Sequence, residues 1–167
     1  MQFTPPERAS YDAHVLTTSY LYIGRVEPIG QFRTWLNDSD VRGLCVIGPT
    51  CVSLEVGRAV EAGLARLYVA KSDIVAIDIL SPAARQTEQL MQRRVPMTLT
   101  TELFSIKGQC SLMAELRPDQ VLNLVRGPFL AVLQATIRPI VNMRPLPFTE
   151  SAMLMLNTDH VKTYVTD

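Results

Sequence analysis

The amino-acid sequence predicts a mainly β protein (class α+β) made of two tandem small β-barrel-like units joined by a connector helix. The first observation is an internal repeat, because Leu16-Thr17-Thr18 recurs as Leu99-Thr100-Thr101 and similar apolar segments follow each triplet. The second observation is that most apolar segments are short and rich in β-branched and aromatic residues, which favour strands. We therefore expect about five strands plus a short helix in each unit.

The repeat and the breaks between apolar segments also define the domain organisation. We predict a tail at 1–10, a first β unit at 11–80, a connector helix at 81–95 and a second β unit at 96–167. Ser81 and Pro82 suit the start of the connector helix, and Pro96 would end it. Because a unit of roughly 70 residues buries only about 60% of its unfolded surface, we expect the units to share apolar surface, with each other or with another chain.

The first unit is predicted to begin with strands at 15–18 and 20–26, either as one bent strand or as a tight hairpin around Ser19. Phe32, Trp35 and Leu36 have helical spacing, which predicts a helix at 32–37. The remaining predicted strands lie at 44–47, 51–56, 64–70 and 73–80, with a break at Gly48-Pro49 and a loop at 57–63.

The second unit is predicted to repeat this order of elements. Pro118 and Gly127 are typical of helix boundaries, so residues 117–125 are predicted to form a helix, with a loop as the alternative. The predicted strands lie at 97–101, 103–110, 129–133, 136–141, 151–156 and 161–165. Several short strands at regular spacing with one short helix are typical of a small β-barrel.

Composition lowers the expectation for several classes of function. The 16 basic and 16 acidic residues give a formal net charge of zero, whereas a nucleic-acid-binding protein normally has a basic face. Three cysteines provide no disulfide framework. No signal-peptide pattern and no apolar run of about 18 residues is visible, so we expect a cytoplasmic protein that makes no membrane contact.

The sequence offers no strong candidate for catalysis, and we predict no metal site and no cofactor. His14 and His160 are expected at exposed or edge positions, away from a nucleophile and an orienting acid. Cys51 follows Gly48-Pro49-Thr50 and could be a reactive thiol, but its apolar neighbours favour a buried position. The cysteines and histidines lack the spacing of a zinc site.

The order of the elements resembles that of the Sm-like family, whose barrel has five curved strands and a short helix. Residues 119–125, Asp-Gln-Val-Leu-Asn-Leu-Val, are similar to the family signature Asp-x-φ-φ-Asn-φ-φ, where φ is apolar; residues 34–38 keep only its central Asn37. Residues 69–75 resemble the second signature with Ser72 in place of glycine. The predicted helices depart from the family because they follow the second strand of each unit. The resemblance implies RNA binding, with Asn37 and Asn123 contacting a base and Lys71 beside them.

We therefore expect a non-enzymatic binding or assembly protein that acts through protein–protein contacts, by self-association or with another protein. Its mechanism would be the pairing of edge strands between units or between chains. The residues predicted to form the interface are Leu67, Val69, Leu154 and Leu156, with Trp35 near a groove. One alternative is an RNA-binding Sm-like protein. Another is a small enzyme whose pocket gathers Cys51, a histidine and a carboxylate.

Overall fold

The computed structural model describes residues 8–82, 93–112, 117–124, 127–144, 146 and 148–166. These residues form one antiparallel sheet of eleven strands with two short α-helices. The prediction of a mainly β protein is therefore confirmed. The sheet is open and is not closed into a barrel.

The first half contains six strands and one helix. They are β1 (Tyr11–Thr17), β2 (Tyr20–Val26), α1 (Phe32–Asn37), β3 (Gly43–Ser53), β4 (Ala59–Glu61), β5 (Arg66–Ala70) and β6 (Ile74–Ile79), with a 3₁₀ turn at Lys71–Asp73 before β6. The tight hairpin is the correct alternative for β1 and β2, and the helix at 32–37 is confirmed. The prediction of two strands around Gly48 is wrong, because Gly48 adopts φ 57° and β3 continues through it. The predicted loop at 57–63 contains β4.

The second half contains five strands and one helix. They are β7 (Arg93–Thr100), β8 (Phe104–Leu112), α2 (Val121–Leu124), β9 (Phe129–Pro139), β10 (Glu150–Asn157) and β11 (Thr163–Thr166), with 3₁₀ turns at Pro118–Gln120 and Thr158–His160. The helix predicted at 117–125 is thus a 3₁₀ turn followed by one α-helical turn. The two strands predicted at 129–133 and 136–141 are the single strand β9, in which Gln134 has φ 50°.

The connector helix predicted at 81–95 falls largely outside the described residues, since 83–92 are not described. Its last part is wrong, because Arg93, Arg94 and Val95 begin β7, and Pro96 lies inside that strand. Proline cannot donate to a neighbouring strand and is tolerated where one side is unpaired. Among the described residues Pro96 meets this condition, because it pairs with Gln109 of β8 and the described part of β11 pairs with Met97 to Thr100 of β7.

Apart from the short strand β4, which also pairs with β3, the strand order is the same in the two halves. The whole sheet runs β11-β7-β8-β9-β10-β6-β1-β2-β3-β4, and β5 also pairs with β3. The first half therefore reads β5-β3-β2-β1-β6, and the second half reads β10-β9-β8-β7-β11. In this comparison β5 corresponds to β10, and β6 corresponds to β11.

Local details recur at corresponding positions of the halves. The Thr17 hydroxyl accepts from Tyr20 N at 3.0 Å and donates to Tyr20 O at 3.1 Å, and Thr101 makes the same pair of bonds to Phe104 at 3.0 and 3.3 Å. Thr17 therefore corresponds to Thr101, one residue away from the partner that the Leu-Thr-Thr triplets suggest. Gly48 and Gln134 likewise supply the single left-handed residue of β3 and β9.

Gly108 is a testable packing constraint. A Cβ atom there would lie 2.7 Å from Val132 Cγ1 and 2.9 Å from Leu133 O, and Gly24 faces the same kind of contacts in the first half. We expect Gly108→Ala to lower the free energy of unfolding by about 1–3 kcal/mol, because the backbone of β9 cannot move aside cheaply. Urea-induced unfolding measures this, Gly24→Ala should behave alike, and an unchanged midpoint in both variants would contradict the packing.

Two apolar clusters lie on opposite faces of the middle of the sheet. Leu154 and Leu156 of β10 belong to one cluster, and Met153 and Met155 belong to the other. Alternate residues of a strand point to opposite faces, so β10 contributes to both clusters. All six residues of β6 are buried as well. Each cluster contains residues from both halves, so the expected sharing of apolar surface occurs within the chain.

Candidate assembly interface

The two halves are joined by the antiparallel pairing of β6 with β10, which we call the inner joint. In its register Asp78 lies opposite Leu154, Ile77 opposite Met155, and Ala76 opposite Leu156. All six residues are buried, and Met155 is 0% and Asp78 3% exposed. The inner joint is therefore a fully covered strand pairing between two halves that have the same strand order.

Backbone and amide groups reinforce the inner joint. Asn157, at the end of β10, is buried and donates from Nδ2 to Ile74 O at 2.9 Å and to Lys71 O at 3.2 Å. The His160 ring nitrogen Nε2 lies 2.8 Å from Ser72 O, an acceptor, so it donates. Asparagine and histidine of the second half thus bind the turn that precedes β6 in the first half.

A second link between the halves is a clasp formed by Asn37, the last residue of α1. Its Nδ2 donates to Phe129 O at 3.1 Å, and its Oδ1 accepts from Phe129 N at 2.8 Å. One amide side chain thereby satisfies both backbone groups of the first residue of β9. We call this pair of bonds the amide clasp.

A buried polar cluster accompanies the inner joint. The Ser151 hydroxyl donates to Asp78 Oδ1, and His14 Nδ1 lies 3.2 Å from Asp78 Oδ2. The carboxylate lies between the other two groups, whereas a Ser-His-Asp catalytic arrangement needs the histidine in the middle. The cluster therefore bonds β1, β6 and β10 together.

The expectation of an exposed or edge position for His14 is wrong. Its strand β1 lies between β6 and β2, its side chain is 16% exposed, and its ring stacks on Phe148 at 4.8 Å. Sequence reasoning also missed Asp78. The available signal was a single carboxylate inside the apolar segment 74–79, because such a group is buried only with partners.

The ends of the sheet differ from the inner joint. Among the described residues, β5 and the three-residue strand β4 pair only with β3, and β11 pairs only with β7. Tyr68 on β5 is 73% exposed and Val165 on β11 is 62% exposed. The two halves can be aligned in sequence by matching the 3₁₀ turn Lys71–Asp73 with the 3₁₀ turn Thr158–His160. In this alignment Tyr68 corresponds to buried Met155, and Val165 corresponds to buried Asp78. Each free edge therefore has the position of a strand that the inner joint covers.

The residues predicted to form an interface divide into three groups. Leu154 and Leu156 are fully buried in the inner joint. Val69 is buried and Leu67 half-buried on β5, and both belong to or pack against the cluster that also contains Met153 and Met155. Trp35 is half-buried on α1 and contacts Phe32, with ring centroids 6.2 Å apart.

The three residues that the Sm-like resemblance predicts to bind RNA differ in their exposure and hydrogen bonding. The amide of Asn37 is engaged in the amide clasp. Lys71 is 8% exposed, and its Nζ donates to Asp38 O at 2.7 Å. Asn123 is exposed on α2. Two of the three side chains therefore use their polar atoms on the protein's own backbone.

The thiol at Cys51 is buried in the sheet, as its apolar neighbours indicated. It is 4% exposed and lies opposite Tyr22 and Glu61 on the adjacent strands. Burial, and then the nearby Glu61 charge, raise the pKa of Cys51 above its usual value. A raised pKa disfavours the thiolate, which is the reactive form.

Lys71 gives a testable pH dependence. Burial lowers the pKa of Lys71 below its usual 10.5, with nearby Asp38 opposing this effect. Between the lowered pKa and 10.5 the unfolded chain binds more protons than the folded chain, so Lys71 makes the free energy of unfolding rise with pH. We expect Lys71→Met to reduce this rise, measured by urea unfolding at a series of alkaline pH values. Lys162→Met, at an exposed lysine, is the control, and equal pH slopes for Lys71→Met and the unmodified chain would contradict the burial of the ammonium.

Within the described parts of the chain, no helix is long and apolar enough to cross a membrane. The same residues contain no group of three or more histidine, cysteine, aspartate or glutamate side chains placed to hold a metal ion. The features that stand out are thus the inner joint and the two free edges. Comparisons with protein-family models, curated proteins and solved structures found no match.

Proposed function

We propose that this chain is a non-enzymatic assembly protein whose copies associate head to tail, β11 of one copy adding to β5 of the next. We call this pairing the outer joint. The observation that carries the proposal is the inner joint, in which the strand corresponding to β11 already pairs with the strand corresponding to β5. The same contact repeated between chains would join the two free edges.

The register of the inner joint specifies the outer one. Carried over position by position, it places Val165 opposite Leu67, Tyr164 opposite Tyr68, and Thr163 opposite Val69. Tyr68 and Val165, which are largely exposed in one chain, would both be covered. Burial of apolar and aromatic surface supplies most of the free energy of such an association.

The chemistry of the two edges supports pairing. Edge strands are usually protected by charged residues or proline, which prevent the addition of another strand. The positions that would pair, 67–70 of β5 and 163–166 of β11, contain neither; the charged residues Arg66, Lys71 and Lys162 lie just outside them. Both segments are rich in the β-branched and aromatic residues that favour strand pairing.

The proposed joint connects two different surfaces of the chain. A contact of this kind is heterologous, and it produces a ring when the rotation closes or a filament when it does not. The proposal includes two small barrel-like units of Sm-like type in tandem, for which the shared strand order is the support. Because α1 and α2 follow the second strand of each half, the departure from the Sm-like order of elements remains.

Size-exclusion chromatography with light scattering tests the proposal. The expected result is a particle larger than one chain whose mass rises with concentration or reaches a fixed multiple. Addition of a mixed RNA pool should leave its elution unchanged at low and at high salt. A monomer at every concentration would overturn the proposal, and a salt-sensitive shift with RNA would favour the RNA-binding alternative instead.

A further inference from the structure

The amide clasp has a counterpart in Asn123 and Gly43, whose polar atoms form no such clasp among the described residues of one chain. The dipeptide Leu36-Asn37 of α1 recurs as Leu122-Asn123 of α2, so Asn123 corresponds to Asn37. Asn37 is the last residue of α1, and Asn123 is the residue before the last of α2. The strands β3 and β9 both have eleven residues and a left-handed residue at the sixth position, so Gly43 corresponds to Phe129. Asn123 and Gly43 are both exposed.

The backbone at Gly43 is arranged like the backbone at Phe129. Phe129 lies opposite Asn157 in the sheet, and Gly43 lies opposite Ala70. Just before these residues, Thr158 N donates to Pro128 O at 2.6 Å, and Lys71 N donates to Arg42 O at 2.9 Å. Because these two bonds match, the N–H and C=O groups of Gly43 point to the same side of their strand as those of Phe129.

The amide clasp and the strand pairing connect the same two partners in the same order, within one chain and in the proposed assembly. The amide clasp and the inner joint both join the first half to the second half. The outer joint would join the second half of one copy to the first half of the next. In that arrangement Asn123 belongs to the half that supplies β11, and Gly43 belongs to the half that supplies β5.

From this we infer that Asn123 forms the amide clasp of the outer joint, donating to Gly43 O and accepting from Gly43 N of a second copy. The inference rests on the proposed function. An amide fits because it carries one donor group and one acceptor, which match a peptide C=O and N–H. Gly43 has no side chain to obstruct the approach. The preceding loop must follow a different path in the outer joint. A Cβ atom at Gly127, which has φ 80°, would lie 2.5 Å from Asn37 Cβ, and Val41 occupies the corresponding position.

The test compares Asn123→Ala with Asn142→Ala, a change at another exposed asparagine. We expect Asn123→Ala to raise the dissociation constant of the assembly by about tenfold to a hundredfold, measured by sedimentation of the full chain over a dilution series. Asn123→Asp should also weaken association, because a carboxylate cannot donate to Gly43 O. Asn142→Ala should leave the dissociation constant unchanged.

A second measurement separates the clasp from a structural role. In a background that prevents association through Val165→Glu, Asn123→Ala should leave the free energy of unfolding unchanged, whereas Asn37→Ala should lower it. A loss of stability in Asn123→Ala of that background would overturn the inference. Unchanged association of Asn123→Ala, with Val165→Glu still dissociating the assembly, would overturn the clasp and leave the outer joint standing. If the unmodified chain does not associate, both fail.

Discussion

The Val165→Glu variant is expected to be a folded monomer at concentrations at which the unmodified chain is assembled. Val165 is 62% exposed in one chain, so a carboxylate there remains in water and costs the fold little. In the outer joint the same carboxylate would lie opposite Leu67 without a partner. Burial of an unpaired charge costs several kcal/mol, so the dissociation constant should rise by about a hundredfold or more.

Light scattering at matched concentrations measures this effect. Tyr68→Glu should act in the same way from the β5 edge, since Tyr68 is 73% exposed. Ile29→Glu is the matched control, because Ile29 is 66% exposed and lies in the loop between β2 and α1. An assembly that survives both edge variants would show that the free edges are not where the copies meet.

Leu154→Ala is expected to lower the free energy of unfolding by about 2–5 kcal/mol, the cost of a cavity at a fully buried leucine. Leu67, its counterpart on the free edge, is only half-buried. Leu67→Ala should therefore cost clearly less in the monomeric Val165→Glu background, and in the unmodified chain it should weaken association as well.

Urea-induced unfolding of the two alanine variants in that monomeric background provides the comparison. The difference between them reports how much of the burial at position 154 comes from the strand β6 that covers it. If Leu154→Ala and Leu67→Ala lowered the free energy of unfolding equally, the inner joint would bury Leu154 no more than the free edge buries Leu67. That result would contradict the correspondence between the two joints.

The inner joint also contains polar groups that the proposed outer joint would replace with others. Asp78 faces His14 in the pairing of β6 with β1, and the corresponding pair in β11 and β7 is Val165 and Thr98. A buried aspartate without its histidine and serine partners would be costly. The polar cluster thus favours the pairing of β6 with β10 of its own chain over competing edges, which is a form of partner discrimination.

Local sequence patterns predicted much of the fold. The helix at 32–37 follows from the helical spacing of Phe32, Trp35 and Leu36. The β1–β2 hairpin is one of the two alternatives that the residues around Ser19 allow. The long strands β3 and β9 were each predicted as two, because Gly48-Pro49 and the polar Gln134 interrupt the apolar pattern. A single left-handed residue lets each strand continue. Pro96 lies inside β7, and its pairing partner among the described residues is Gln109 of β8, which the local sequence does not specify.

The candidate interface follows only in part from the sequence, because local patterns do not specify which strands become neighbours. Leu154 and Leu156 follow from the alternation of buried residues in a strand. Tyr68 corresponds to Met155, on the opposite phase of that alternation, and Val165 lies on another strand. The importance of both depends on which strand lies beside them. The role of Asn37 is nonlocal as well, because its partner Phe129 is far away along the chain. Sequence patterns identify an amide and cannot specify what it binds.

The most direct test of head-to-tail assembly is to mix the two edge variants. Tyr68→Glu retains an intact β11 edge, and Val165→Glu retains an intact β5 edge. Each variant alone should be a monomer, and an equimolar mixture measured by light scattering should form a one-to-one dimer and nothing larger, because only one outer joint can form. A mixture that remains monomeric, or a single variant that dimerises alone through its intact edge, would contradict the account.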